Sequence, residues 1–96
     1  MNLRLLSPAQ VELAEAISWY EGQEPGLGAA FLDEVERTLD DIAASPTAYA
    51  RVCDHIRRAL VHRFPYSIFY EVLPDATVVY AICHWRRQPE YWRDRR

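Results

Sequence analysis

Two cysteines and three histidines head the chemical inventory of this chain. Cys53, Asp54 and His55 lie together, and Cys83 is followed at once by His84. Thiolate and imidazole are the usual zinc ligands. The spacing argues against a site, because adjacent residues on a strand point to opposite faces, so Cys83 and His84 would not share an ion. No metal and no cofactor are expected. The two cysteines stand thirty positions apart with no CxxC, and in a reducing compartment they read as free thiols. Serine offers no better nucleophile. Ser7 and Ser45 precede prolines and punctuate helices, Ser67 lies in a β-rich run, and there is no GxSxG elbow. All eleven basic residues are arginine. Arginine stays protonated, so none of them supplies a general base or a Schiff-base amine.

What remains is a basic and aromatic cluster. It comprises Arg57, Arg58, His62 and Arg63, then His84-Trp85-Arg86-Arg87, then Tyr91-Trp92-Arg93 and Arg95-Arg96. Guanidinium groups clamp phosphates and interleaved aromatics stack on bases. The same composition suits an interface with an acidic protein, or a solvated rim around core aromatics. Cutting RNA through its 2′-hydroxyl needs a base, an acid and a group on the phosphate. The arginines can hold the phosphate. His84, His62, Glu71 and Tyr91 are the acid–base candidates.

These residues need a scaffold, and 96 residues provide one domain, spanning 1–96. A chain of this size buries about 60–68% of its unfolded surface. Half of the residues are apolar, enough for a packed core. The longest uncharged run, Ala76 to Trp85, is ten residues, against about 20 for a membrane span. No membrane partner is expected, the N-terminus lacks the apolar run of a secretory signal, and a cytoplasmic location follows. Charge is segregated along the chain. Residues 1–50 hold nine acids and two arginines, whereas residues 51–96 hold nine arginines and five acids. An anionic partner for the second half and two merely wet faces explain this equally well.

Leu3 to Leu6 reads as a short strand. Ser7-Pro8-Ala9-Gln10 reads as a helix start, with Ser7 the cap, Gln10 completing a capping box and Leu6 stapling to Val11. Ala9, Leu13, Ala16, Ile17 and Tyr20 then share a face, with Glu12, Glu15 and Glu21 turned away from it. Gly22 to Gly26 breaks the helix. A second helix over about 27–44 places Leu27, Phe31, Leu32, Val35, Leu39 and Ile42 on one side and acids on the other. Ser45-Pro46 ends it, and the two helices form an antiparallel hairpin. After Tyr49 the texture turns to strands: Arg58 to Phe64, Tyr66 to Leu73, and Thr77 to Cys83 after a Pro74-Asp75 turn. Pro89 opens a polar tail with one helical turn. The expected fold is α+β: an N-terminal strand and a helical hairpin packed on a small antiparallel sheet.

Several ordered stretches resemble the RelE/ParE superfamily, the toxins of bacterial type II toxin–antitoxin modules. They are Arg57-Arg58, Arg63-Phe64-Pro65-Tyr66-Ser67-Ile68-Phe69-Tyr70-Glu71-Val72, Val79-Tyr80-Ala81-Ile82-Cys83-His84-Trp85-Arg86-Arg87-Gln88-Pro89, and Tyr91-Trp92. Gly28, Phe31, Val35, Leu39, Ile42 and Pro46 extend the likeness over nearly the whole chain. The resemblance implies the fold just given, as in microbial ribonucleases, and a growth-arresting toxin neutralised by a cognate antitoxin. It also implies one of two targets. RelE-like members cut mRNA on the ribosome, whereas ParE-like members poison DNA gyrase and cut nothing. The RelE arginine after the strand tyrosine is replaced here by Ser67, and the two RelE lysines fall at Arg58 and Leu60. The later RelE arginine and tyrosine fall at Arg87 and Tyr91. The His84, Arg87, Pro89, Trp92 ending and the long second helix are more like ParE. The resemblance therefore favours a ParE-like gyrase inhibitor that is not itself an enzyme. The residues expected to meet target or antitoxin are Arg57, Arg58, Arg63, His84, Arg86, Arg87, Tyr91 and Trp92. The alternative is a ribosome-dependent endoribonuclease with His84 or Glu71 as base, Arg58 and Arg87 on the phosphate, and Tyr91 as acid.

Overall fold

The computed structural model describes residues 2–88 and 90–95. The chain runs β1 (Leu3–Leu5), α1 (Ser7–Gln23), α2 (Leu27–Ala44), β2 (Arg51–Cys53), β3 (Ile56–Leu60), β4 (Tyr66–Val72), β5 (Thr77–His84) and a closing 3-10 turn (Arg93–Arg95). The turn lies in the expected tail, although Pro89 itself is outside the described residues. The five strands form one sheet in the order β1-β5-β4-β3-β2, with the α1–α2 hairpin on one face. This is the expected α+β arrangement with one refinement. β1 pairs parallel to β5 (Leu3 opposite Thr77, Leu5 opposite Val79), while the other pairs are antiparallel, so the sheet is mixed. The hairpin and the whole meander separate β1 from β5, and no tight turn forces them antiparallel.

The start of α1 departs from the capping-box expectation. Leu6 still donates its N–H to the Val79 carbonyl (3.1 Å), continuing the β1–β5 pairing. The helix therefore turns directly after Leu6, and Ser7 is already helical with no side-chain cap. Gln10 sends its side-chain amide back to the Leu5 carbonyl at 3.0 Å instead of completing a box. The Leu6–Val11 staple is also absent: Leu6 packs on the far face of the sheet and Val11 is 55% exposed. Pro8 is accommodated because the first helical turn has no acceptor for the N–H it lacks. α2 begins where its apolar stripe predicts. Its first amides are capped from α1, since the Glu21 carboxylate accepts from Gly26 N–H (3.0 Å) and Gly28 N–H (3.0 Å). Gly26, at φ 91°, takes the left-handed turn between the helices.

The core has two layers. Between hairpin and sheet lie Ala9, Ala16, Phe31, Val35, Ile42, Ala59, Ile68, Tyr70, Val79 and Ile82. Tyr20, Phe31, Phe64 and Tyr66 form an aromatic cluster at one end of this layer. On the other face Ile56, Val78, Tyr80, Ala81 and Trp92 pack together. A register shift between Phe69 and Tyr70 leaves Tyr80 as an extra residue on β5. Tyr80 and Ala81 consequently both belong to the second layer. The strand expected over Arg58 to Phe64 begins at Ile56 and stops at Leu60. The next residues make the β3–β4 turn, with Arg63 at φ 75°. The three-residue β2 has too little alternation to be read from sequence.

Candidate functional site

The sheet face away from the hairpin holds a cavity of about 180 Å³ at the His84 end of β4 and β5. Arg58 enters it from β3, Ser67 and Phe69 from β4, and Cys83 from β5, with Arg87 and Tyr91 from the following segment. The strand period delivers Arg58, Ser67 and Cys83 to one face, as Ser67 pairs with Cys83 and Arg58 sits opposite Phe69. Arg58 Nε donates to Ser67 Oγ at 2.8 Å. Around the free edge of β5 lies a second cleft, of about 300 Å³, between α1 and β5. His84 and Arg87 line both.

Glu12 organises this region. Its Oε1 accepts from the Ile82 N–H (3.1 Å) and from Arg95 (2.9 Å). Its Oε2 accepts from Arg95 (3.1 Å) and from the Tyr91 hydroxyl. Arg95 also donates to the Tyr80 carbonyl at 2.9 Å. β1 covers only the first residues of β5, and Glu12 and Arg95 occupy the backbone groups of the edge it leaves open. Tyr91 is held by its hydroxyl, and its ring lies between two guanidinium groups, Arg87 at 4.1 Å and Arg95 at 4.9 Å. Glu12 had been expected to point away from the buried face. The spacing 9, 12, 16 in fact puts it in line with Ala9 and Ala16 on α1, and that was the signal available for finding it.

The expected site residues divide. The Arg57 guanidinium is engaged within the chain, donating to the carbonyls of Thr47 and Tyr49 and pinning the loop after α2. Trp92 is buried in the second layer of the core. It is 1% exposed and stacks on Phe69 at 5.3 Å, because the second sheet face has no helix over it and the C-terminal segment must supply the cover. Arg63 is exposed on the β3–β4 turn, with its guanidinium 5.2 Å from the Phe64 ring. Arg58, Arg86 and Arg87 are exposed, with Arg58 and Arg87 at the cavity mouth, and His84 is half-buried there.

The nuclease assignment fares worse. Glu71 pairs with Val78 and His84 with Tyr66, near opposite ends of the β4–β5 ladder, and Glu71 accepts from the Tyr80 hydroxyl at 3.1 Å. Glu71 therefore does not share a site with His84. His84 Nδ1 accepts the Arg86 N–H at 3.0 Å, which occupies a lone pair that a base would use. Burial first, and then the hydrogen bond to Glu12, push the Tyr91 hydroxyl far above its ordinary pKa, so it is a poor proton donor. Burial likewise pushes the Cys83 thiol up and keeps it protonated. Among the described residues no three His, Cys, Asp or Glu side chains converge as a metal site would need. Cys53 lies instead against Arg93, at 3.2 Å.

Fold and site together define a small α+β protein with an arginine-lined cavity on one sheet face, in which the His84 Nδ1 lone pair and the Tyr91 hydroxyl are already engaged. The model of the ParE toxin of the type II toxin–antitoxin system, parDE, matches residues 3–89. The chain belongs to the ParE toxin family. Among solved structures it is similar to a chain described as the chromosomal ParDE TA system from P. aeruginosa. The TM-score is 0.78 at 15% identity, covering 88% of this chain and 95% of the other. At that identity the likeness is one of fold. No curated protein matches significantly. No helix among the described residues is long and apolar enough to cross a membrane.

Proposed function

We infer that this ParE-type toxin arrests growth by poisoning DNA gyrase and that a cognate antitoxin neutralises it. The observation that carries the choice of target is that the candidate acid and base are engaged, although His84, Arg58, Arg87 and Tyr91 line one cavity. Glu71 is at the wrong end of the sheet, the His84 Nδ1 lone pair is occupied, and the Tyr91 hydroxyl is committed to Glu12. A protein that acts by holding another complex needs a surface, and Arg86, Arg87 and Arg63 provide an exposed cationic one. The ParE family model and the fold shared with a chain of a ParDE system support an antitoxin partner. The exposed acids of α2 lie on the hairpin, and the exposed Arg63, Arg86 and Arg87 lie at the His84 end of the sheet.

Pulse-labelling after tightly controlled induction tests this. DNA synthesis is expected to fall within minutes while translation continues, and purified gyrase with the toxin is expected to accumulate cleaved DNA. An early collapse of translation would instead return the ribosome-dependent nuclease. Arg86→Glu with Arg87→Glu is expected to abolish growth arrest at equal expression, and full toxicity of that double variant would remove this surface from the mechanism.

A further inference from the structure

The arginines of the C-terminal half are not equivalent. Arg93 is paired with Glu90, Arg95 with Glu12, and Arg57 with backbone carbonyls. Arg58 and Arg87 are different. Each is held in place by a neutral group, Arg58 by the Ser67 hydroxyl and Arg87 by the Tyr91 ring. Among the described residues, neither has a carboxylate within ion-pair distance. They line the same cavity from two different elements.

The remaining hydrogen-bonding capacity of that wall consists mainly of donors. Ser67 is 1% exposed and its oxygen already accepts from Arg58, which leaves its hydroxyl proton to give. His84 accepts at Nδ1, which leaves Nε2 as its donor position. Glu90, the carboxylate in the wall, is bound to Arg93. Fixed donors around uncompensated positive charge call for an oxyanion. The volume of about 180 Å³ is below the roughly 300–1,000 Å³ of pockets that enclose whole ligands, so it takes one group of a larger molecule. Trp85, 55% exposed in the same wall, offers a stacking surface beside that group. A base next to a backbone phosphate uses such a surface; a row of carboxylates does not.

We propose that the Arg58–Arg87 cavity is an oxyanion pocket that takes a backbone phosphate of single-stranded nucleic acid and does not cleave it. This does not rest on gyrase being the target, and its test contains no gyrase.

The test is fluorescence anisotropy of a labelled single-stranded DNA 10-mer with the purified full chain, over a range of salt. Saturable binding is expected. Arg58→Gln with Arg87→Gln is expected to weaken it about tenfold and to lower the salt slope by about 0.7, the value for one phosphate contact on a single strand. Arg63→Gln removes one charge away from the cavity, and its effect should stay under about threefold. An RNA of the same sequence should remain intact on a gel. Absence of saturable binding, an unchanged double variant, an equal loss in Arg63→Gln, or cleavage of the RNA would each overturn the proposal. So would an acidic peptide that displaces the oligonucleotide at lower concentration than unlabelled DNA does, which would make the pocket a protein-binding site. If the double variant fails to fold, inorganic phosphate titrated into the wild-type chain decides. The Arg58 and Arg87 side-chain N–H resonances should shift, and shifts confined to other arginines would refute the pocket.

Discussion

Glu12 and Tyr70 show how single polar groups hold this fold. Glu12 is a half-buried carboxylate on which a backbone amide, a tyrosine and an arginine converge, and hydrogen bonds to charged groups contribute about 1.5–3 kcal/mol each. Tyr70 is fully buried and donates to the Pro46 carbonyl at 2.7 Å. Burial pushes its pKa from 10.0 up to about 12. The folded chain therefore holds this proton more tightly than the unfolded chain does. The stabilisation is fully present below pH 10 and is lost as the pH rises through 12, by about 2–3 kcal/mol. Tyr70→Phe is expected to be about 1 kcal/mol less stable at pH 8, because the Pro46 carbonyl loses its donor. It should also lose stability less steeply between pH 10 and pH 12. Urea unfolding across that range checks both, and an unchanged alkaline slope would show that another group titrates. Tyr70 was legible in the sequence only as a strand aromatic, because the Pro46 carbonyl lies 24 residues away.

At the scale of elements, the α1–α2 hairpin depends on one close approach. A Cβ built on Gly28 would lie 2.7 Å from the Ile17 carbonyl oxygen and 3.0 Å from the Glu21 side chain. Gly22 and Gly26 have open space, but Gly26 is at φ 91°. Three outcomes follow from three different causes. Gly28→Ala is expected to destabilise by about 1–3 kcal/mol, as overpacking of the helix contact outweighs the roughly 1 kcal/mol gained in helix propensity. Gly26→Ala is expected to cost about 1–2 kcal/mol through the left-handed backbone alone. Gly22→Ala is expected to stabilise by about 0.5–1 kcal/mol. Thermal melts of the three variants check the order, and a stabilised Gly28→Ala would mean that the helices are further apart than described. The breaks and apolar stripes that define this hairpin were visible in the sequence. The clash at Gly28 was not, because it depends on the separation of two helix axes.

The whole molecule is a sheet covered on both faces by different means. The hairpin covers one face, and the C-terminal segment, through Trp92, covers part of the other. Trp92→Ala is expected to cost about 3–5 kcal/mol, in the range for truncating a buried aromatic. Urea unfolding checks this, and a loss below about 1 kcal/mol would place Trp92 back among the contact residues. The same arrangement puts exposed acids on the hairpin and the exposed Arg63, Arg86 and Arg87 at the His84 end of the sheet.

The sequence by itself determined what depends on neighbours along the chain. The helices, their apolar faces, the β-rich second half, the α+β class and the resemblance to RelE/ParE toxins all rest on short spacings or on residue order. The tertiary structure alone decided what depends on partners far apart in sequence. Glu12 meets Tyr91 across 79 positions and Arg95 across 83, and β1 lies parallel to β5 at the opposite end of the chain. The same long-range packing engages Arg57, Arg93 and Arg95, leaves Arg58 and Arg87 uncompensated, and buries Trp92 instead of presenting it. An arginine carries the same charge wherever it stands, and only the groups brought beside it by folding decide whether that charge is already used.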